Sequence, residues 1–158
     1  MKKYLAILLI GVFLLSGCIG QGKDMRNENI ELLLNEASAL MQEKGEEAFP
    51  EFRTRGKFFT DDFYIFVWKV EGNKITRIVY PLDPNGEGVD VSNLKDAYGV
   101  SLTKMFMAIA NSEKGEGWSD QYGWVNPKNN KIERKVSYIK KVSLGDTTYV
   151  IGAGYYLE

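Results

Sequence analysis

The stretch Phe63-Tyr64-Ile65-Phe66-Val67-Trp68-Lys69-Val70 decides the fold class. Alternation along a strand sends Tyr64, Phe66, Trp68 and Val70 to one face and Phe63, Ile65 and Val67 to the other. Both faces are apolar. A strand with one face in water would alternate apolar with polar residues. This one is therefore expected in a sheet covered on both sides. Gly72-Asn73 supplies a hairpin turn, and residues 74–80 return as a second strand.

Upstream, Ile30, Leu33, Leu34, Ala37, Leu40 and Met41 recur at the spacing of one helix face. Asn27 is the expected N-cap and Gly45 the expected stop. Glu46-Glu47-Ala48-Phe49-Pro50-Glu51-Phe52 reads as one more helical turn, limited by Pro50. Downstream, residues 81–99 form a long connection with Pro81, Pro84, Asn85, Gly86, Gly88 and Gly99. Long ordered loops are often functional. Leu102, Met105, Phe106, Ile109 and Ala110 give a helix over residues 101–112 one apolar face. Residues 117–125 read as an aromatic strand, with a turn at 126–130. Residues 133–142 and 147–156 are two more strands, joined at Gly145-Asp146. This order predicts one α+β domain built on an antiparallel sheet.

Composition excludes several chemistries. The chain has 158 residues, no histidine and one cysteine, which rules out a Ser-His-Asp triad, a Cys-His dyad and His-ligated zinc. One cysteine also rules out an internal disulfide and a CxxC site. A net charge of −1 gives no nucleic-acid footprint. The surplus is aromatic: 3 Trp, 9 Tyr and 8 Phe, candidates for a binding surface or a core. Asp83, Asn85, Glu87 and Asp90 superficially suggest a calcium loop, but position twelve from Asp83 is Leu94, where a bidentate Glu is needed. Those residues read as a solvated turn, and no metal or cofactor is expected. Gly152-Ala153-Gly154 lies inside a strand and not in the strand–turn–helix setting of a phosphate loop, so its glycines are expected to permit close packing. No spacing pairs candidate acids and bases, and no enzyme activity is expected.

The N-terminus opens with Lys2-Lys3, an apolar run and Leu15-Ser16-Gly17-Cys18. A basic start and a short apolar core describe a secretory signal. The final four residues resemble the lipobox of prokaryotic lipoproteins, where cleavage precedes the cysteine and its sulfur carries a diacylglycerol. Residues 1–17 are thus expected to be a signal peptide, Cys18 the lipidation site, residues 18–26 a tether and residues 27–158 the domain. The alternative is a short uncleaved anchor. Either reading places the rest of the chain outside the cytoplasm. Loss of Lys2 and Lys3 leaves 18 basic and 21 acidic residues, a net charge of −3, so lipid and not charge would hold it to a membrane.

Several strings resemble the Cache family, specifically its single-Cache "Cache_2" type of PAS-like extracellular sensors. They are Glu46 to Phe52 and Tyr64-Ile65-Phe66-Val67, quoted above, then Gly88-Val89-Asp90-Val91-Ser92-Asn93-Leu94-Lys95-Asp96 and Gly115-Glu116-Gly117-Trp118. Lys135-Val136-Ser137-Tyr138-Ile139-Lys140-Lys141-Val142 and Tyr149-Val150-Ile151-Gly152-Ala153-Gly154-Tyr155-Tyr156 complete the set, in family order. The resemblance implies a five-stranded antiparallel sheet with the long N-terminal helix on one face. The loop and second helix would cover the other face and enclose a small-molecule pocket. Ligands of the family are mostly carboxylates, amino acids and related metabolites. The family's frequent His-Pro after the second strand is Tyr80-Pro81 here, so ligand choice can differ at that point.

Trp118, Trp124, Tyr138 and Tyr122 are candidate pocket residues, since aromatics with polar tips both pack and hydrogen-bond. Sheet core is their alternative role. Lys135 is a candidate partner for a ligand carboxylate, or else a solvated strand lysine. Alternation sends Lys135 and Tyr138 to opposite faces, so a regular strand brings only one of them to a given pocket, whereas the resemblance favours both. Tyr64 and Trp68 are candidates for the pocket floor or for core packing, and Tyr80 for a ligand contact. The expectation is a lipid-anchored, extracytoplasmic sensor-like domain binding a small metabolite, a carboxylate above all, without turnover. No output region follows in this chain, so a separate membrane receptor or transporter would carry the signal. The alternative is an envelope protein-interaction module with a vestigial pocket.

Overall fold

A computed structural model describes residues 20–157. The expected signal peptide and Cys18 lie outside these residues.

Helix α1 runs from Gly20–Lys44 and buries Ile30, Leu33, Leu34, Ala37 and Met41, the stripe its spacing demands. It starts earlier than expected. The stretch read as a tether is helical from Gly20 onward, and Asn27 sits inside the helix. There its side chain accepts a hydrogen bond from the Tyr155 hydroxyl at 2.8 Å, so a tertiary contact takes up the expected cap. Gly45 ends α1 with φ +63, the left-handed backbone that glycine adopts without strain. A 3-10 turn over Gly45–Ala48 leads into α2, Phe49–Arg53. Pro50 does not limit this turn. It occupies the first turn of α2, where a missing N–H costs nothing.

Strands β1 (Phe66–Glu71) and β2 (Lys74–Val79) form the predicted hairpin. Helix α3, Leu102–Ala110, is capped by the Ser101 side chain, which accepts from the Lys104 N–H. Strands β3 (Glu116–Trp118), β4 (Tyr122–Asn126), β5 (Lys131–Leu144) and β6 (Thr147–Tyr156) complete the sheet. The order is β2-β1-β6-β5-β3, all antiparallel, with β4 also paired to β5. β3 and β4 lie end to end along β5, so the sheet is five strands wide, as expected, with its last position split.

That split corrects the reading of residues 117–125 as one strand. Trp118 pairs with Tyr138 and Tyr122 with Lys135, so one chain advances four residues while the other advances three. An unequal step reverses side-chain parity. Trp118 consequently faces α1, while Tyr122 and Trp124 face the opposite side. A second irregularity sits in β2. Val67 pairs with Val79 and Trp68 with Arg77, leaving Ile78 as an extra residue. This bulge lets Arg77 and Tyr80 share a face, which regular alternation forbids.

The sheet is buried on both faces, as the doubly apolar stretch requires. Phe63, Ile65 and Val67 pack with α1 and α2, while Tyr64, Phe66 and Trp68 pack with α3. The long loop is stitched to the edge of β2 by Gly88 N–H to Arg77 O at 2.7 Å and Val91 N–H to Ile75 O at 2.8 Å.

Candidate functional site

A cavity lies between the sheet and the α3 layer, lined by Tyr64, Phe66, Trp68, Arg77, Tyr80, Leu94, Leu102, Phe106, Tyr122 and Trp124. Its position follows from the elements just described. β1 supplies Phe66 and Trp68, and the residues leading into it supply Tyr64 on the same face. The bulge in β2 supplies Arg77 and Tyr80. The strand break supplies Tyr122 and Trp124, and α3 closes the roof with Leu102 and Phe106. Gly152 and Gly154 in β6 leave the floor low, for the close packing that was expected. A Cβ on Gly152 would lie 2.3 Å from the Phe66 ring, and one on Gly154 would meet the Val136 carbonyl at 2.0 Å.

The walls are an aromatic mesh. Phe66 stacks on Phe106 at 5.7 Å between centroids, and Trp68 lies 5.3 Å from Phe106. Tyr64 meets Tyr80 edge to face at 5.8 Å, and Tyr122 meets Phe106 at 5.6 Å. Two lining residues are tied to each other: Trp124 Nε1 donates to the Tyr80 hydroxyl at 3.3 Å. About 30 Å³ is open inside, room for about one or two waters.

Lys135 lies behind Tyr64. It is 1% exposed, and its Nζ donates to the Tyr64 hydroxyl at 2.9 Å. The ammonium also sits over the Tyr64 ring at 4.1 Å and the Tyr156 ring at 5.1 Å. No carboxylate pairs with it among the described residues, and Tyr64 is its one hydrogen-bond partner although an ammonium has three donors. Burial pushes its pKa down to about 7. Burial likewise raises Tyr64 and Tyr122 above the ordinary phenol value, so both hydroxyls stay protonated. Tyr122 shares a 2.7 Å hydrogen bond with Ser137.

Asp96 holds the loop against β4. One oxygen accepts from Tyr98 and Val100 N–H at 2.9 and 2.8 Å, and the other from Gly123 N–H at 2.8 Å. Burial pushes its pKa up, but the backbone N–H groups of Gly123, Val100, Tyr98 and Gly99 outweigh that and hold it below the usual carboxylate value. Glu87 anchors the other end of the loop, accepting from Arg53 Nε and from the Tyr80 N–H. Asp83 and Asp90 likewise accept from the backbone of Asn85 and Ser92, as turn residues do.

Of the eight residues expected at a pocket, Tyr64, Trp68, Tyr80, Tyr122 and Trp124 line this cavity, and Lys135 stands directly behind it. Trp118 and Tyr138 do not reach it. They face α1, where their rings meet at 5.5 Å and Trp118 Nε1 donates to Glu31 at 2.6 Å. Parity separates Lys135 from Tyr138, and the strand break separates Trp118 from Trp124. Arg77, Phe66, Phe106, Leu94 and Leu102 were missed as lining residues. Arg77 had a signal, a cation two residues after Ile75 on a strand face that otherwise points inward.

A larger open groove of about 890 Å³ includes Arg26, Asp62, Lys128, Glu133 and Arg134. Its polar groups answer one another: Lys128 pairs with Asp62 at 2.5 Å, Asn126 donates to Glu133 at 2.6 Å and Arg134 donates to Gln121. It presents no comparable buried, partly unmet cation.

A helix-backed, five-strand-wide sheet with a loop-and-helix cover over an aromatic cavity is the architecture of sensor domains. The single Cache domain 2 family model matches residues 20–158, and this chain belongs to that family. Domains of the family are extracytoplasmic sensory ligand-binding modules. Three solved structures share the fold, each at 19% sequence identity. A methyl-accepting chemotaxis protein from Vibrio parahaemolyticus aligns over 87% of this chain and 93% of its own, with a TM-score of 0.68. A Cache chemosensory domain described for carboxylic acid recognition aligns over 90% and 100%, at 0.69. The periplasmic sensor domain of a chemotaxis protein aligns over 88% and 99%, also at 0.69.

Proposed function

We propose that this chain is a lipid-anchored, extracytoplasmic sensor that binds a small carboxylate on the α3 side of the sheet without converting it. Lys135 carries the reading. A buried ammonium is strongly disfavoured unless paired and hydrogen-bonded, and this one has a single hydroxyl beside it. A ligand carboxylate would supply the missing charge and the missing acceptors. Tyr64, Tyr80 and Tyr122 add hydroxyls, while Trp68 and Trp124 pack the apolar part of the ligand. The carboxylic acid recognition described for one structural relative is consistent with this class.

The cavity is smaller than a carboxylate needs, so entry requires the Trp124–Tyr80 bridge to part and the loop or α3 to shift. Ligand would then favour one loop and α3 arrangement, which a separate membrane receptor or transporter reads. Leu15-Ser16-Gly17-Cys18 supports anchorage through Cys18, and α1 begins two residues later, next to the membrane surface in that case. Cys18→Ser should release the protein from membranes and abolish incorporation of labelled fatty acid. The narrow cavity is the one observation on the side of an interaction module with a vestigial pocket. Lys135 weighs against it, because a disused pocket gains nothing from a buried cation.

The test is a thermal-shift screen of the full chain, purified in detergent, with small carboxylates such as acetate, propionate and succinate. At least one should raise the melting temperature. A broad library of metabolites without any shift would overturn the reading.

A further inference from the structure

Val125 and Ile132 are cross-strand partners in the β4–β5 hairpin. Tyr122 and Trp124 face α3, so alternation turns Val125 and its partner to the side on which α1 packs. There the pair is 45% and 51% exposed, and Met25 on the first turns of α1 is 63% exposed. Single exposed apolar residues are ordinary on a protein surface. The position of this pair sets it apart. α1 runs alongside β5: Gln42 donates to the Ser143 carbonyl, Glu31 accepts from Trp118, the partner of Tyr138, and Asn27 accepts from Tyr155, the partner of Val136. Asn27 to Gln42 is about 23 Å of helix, and Val136 to Ser143 is about 24 Å of strand, so the two elements keep step. Gly20, where α1 begins, lies about 10 Å before Asn27. That distance is roughly three strand residues, which brings the start of the helix level with Ile132 and Glu133. The open groove joins the same two parts, with Arg26 and Asn29 on one side and Asn126 and Lys128 on the other.

Resting on anchorage through Cys18, we propose that the β4–β5 hairpin lies on the bilayer, with Val125 and Ile132 against its acyl boundary, and that this contact sets the orientation of the domain. Cys18 precedes Gly20 by two residues, at most about 7 Å of chain. A lipid on that sulfur holds the membrane at the level of the apolar pair. The turn between the two residues, Pro127-Lys128-Asn129-Asn130-Lys131, is polar and basic and suits the headgroup layer. Two half-exposed side chains hold a bilayer only weakly by themselves. Beside a covalent anchor the contact is intramolecular, and at high effective concentration a weak contact fixes a geometry without having to supply the affinity. A second copy of the chain is the poorer occupant, since a stable dimer buries far more surface than this pair offers. The β5–β6 turn at Gly145-Asp146, at the other end of β5, then points away from the membrane.

Ile132→Cys and Asp146→Cys, each carrying a thiol-linked fluorophore, report on the two ends of β5. The full chain, lipidated in cells, is reconstituted into vesicles of phosphatidylethanolamine and phosphatidylglycerol. Lipids with a doxyl group on the acyl chain should quench the label at position 132 at least about threefold more strongly than the label at position 146. Adding Val125→Asp should bring quenching at position 132 down to the level at 146, while the protein still floats with the vesicles. Equal quenching at the two positions in vesicle-bound protein would overturn the orientation and leave the anchorage standing, as would quenching at 132 that Val125→Asp does not reduce. A label at 132 that is shielded from aqueous iodide but not quenched by doxyl lipid would place a second copy of the chain on the pair and overturn the proposal too. Failure of the wild-type chain to float with vesicles would overturn both the orientation and the anchorage.

Discussion

Lys135 keeps an ammonium at 1% exposure with one hydroxyl beside it, and its titration should be visible in folding. Its pKa falls from the ordinary 10.5 when unfolded to about 7 when folded. Below pH 7 both states hold the proton, and the folded state bears the full cost of burying the charge. Between pH 7 and 10.5 the unfolded state binds more protons, so rising pH stabilises the fold. The facing phenols of Tyr64, Tyr122 and Tyr156 are all raised by burial and stay neutral across most of this window. Lys135→Met should therefore melt higher than wild type at pH 6, and its advantage should shrink toward pH 10 in thermal denaturation. A difference that stays constant with pH would mean that Lys135 is not buried as described. Bound carboxylate reverses the sign, favouring the ammonium, so binding above pH 7 should take up protons.

Asp96 is the opposite case. Its pKa lies below the ordinary 3.8, so its contribution is full above that value and drains away as pH falls through the lower folded value. Asp96→Asn cannot accept all three backbone N–H groups and should cost about 1.5–3 kcal/mol at neutral pH, read by urea denaturation. The variant should also lose part of the acid sensitivity of the wild type.

At the scale of elements, β6 is the floor on which the site rests. Gly152→Ala would place a Cβ 2.3 Å from the Phe66 ring and 2.9 Å from Ile139. The ring has to move toward the cavity. A loss of about 1–3 kcal/mol in stability is expected, with loss of carboxylate binding. Much of this layer was legible in sequence, because its signals are local. The apolar runs of α1, β1 and α3, the Gly72-Asn73 turn and the interior glycines each announce themselves within a few residues. The faces of single aromatics were not legible, because they hang on irregularities. The unequal step between Trp118 and Tyr122 turns two tryptophans of one aromatic run to opposite sides. The extra Ile78 brings Tyr80 round beside Arg77. No spacing rule places such irregularities. The start of α1 was hidden for a similar reason: Asn27 has the chemistry of a cap, but Tyr155, distant in sequence, takes its side chain. Lys135 was half legible, since parity excluded Tyr138 from its company without saying which of the two faced the pocket.

For the whole molecule, the sheet divides two functions. The α1 face is a packed core with aromatic side chains hydrogen-bonded to the helix. Trp118 donates to Glu31, Tyr155 to Asn27 and Tyr149 to Glu46. The α3 face holds the cavity and the buried Lys135 ammonium, which meets no carboxylate among the described residues. Substitutions on the two faces should separate accordingly. Trp118→Phe loses an indole hydrogen bond and should cost about 1–2 kcal/mol of stability while leaving carboxylate affinity unchanged. Trp124→Phe removes the indole bond to the Tyr80 hydroxyl and should alter affinity, with a smaller effect on melting. Both faces share β1, β5 and β6, so a ligand that shifts the loop or α3 acts on the sheet against which α1 is packed.

The proposed carboxylate site on the α3 face stands or falls with Lys135. Its most direct test is calorimetric titration of the full chain with acetate, propionate and succinate, in wild type and Lys135→Met. The structure predicts saturable binding of at least one of them to wild type, and affinity at least about tenfold weaker in Lys135→Met, which stays folded. Undiminished binding to Lys135→Met, or binding abolished instead by Trp118→Phe, would contradict it.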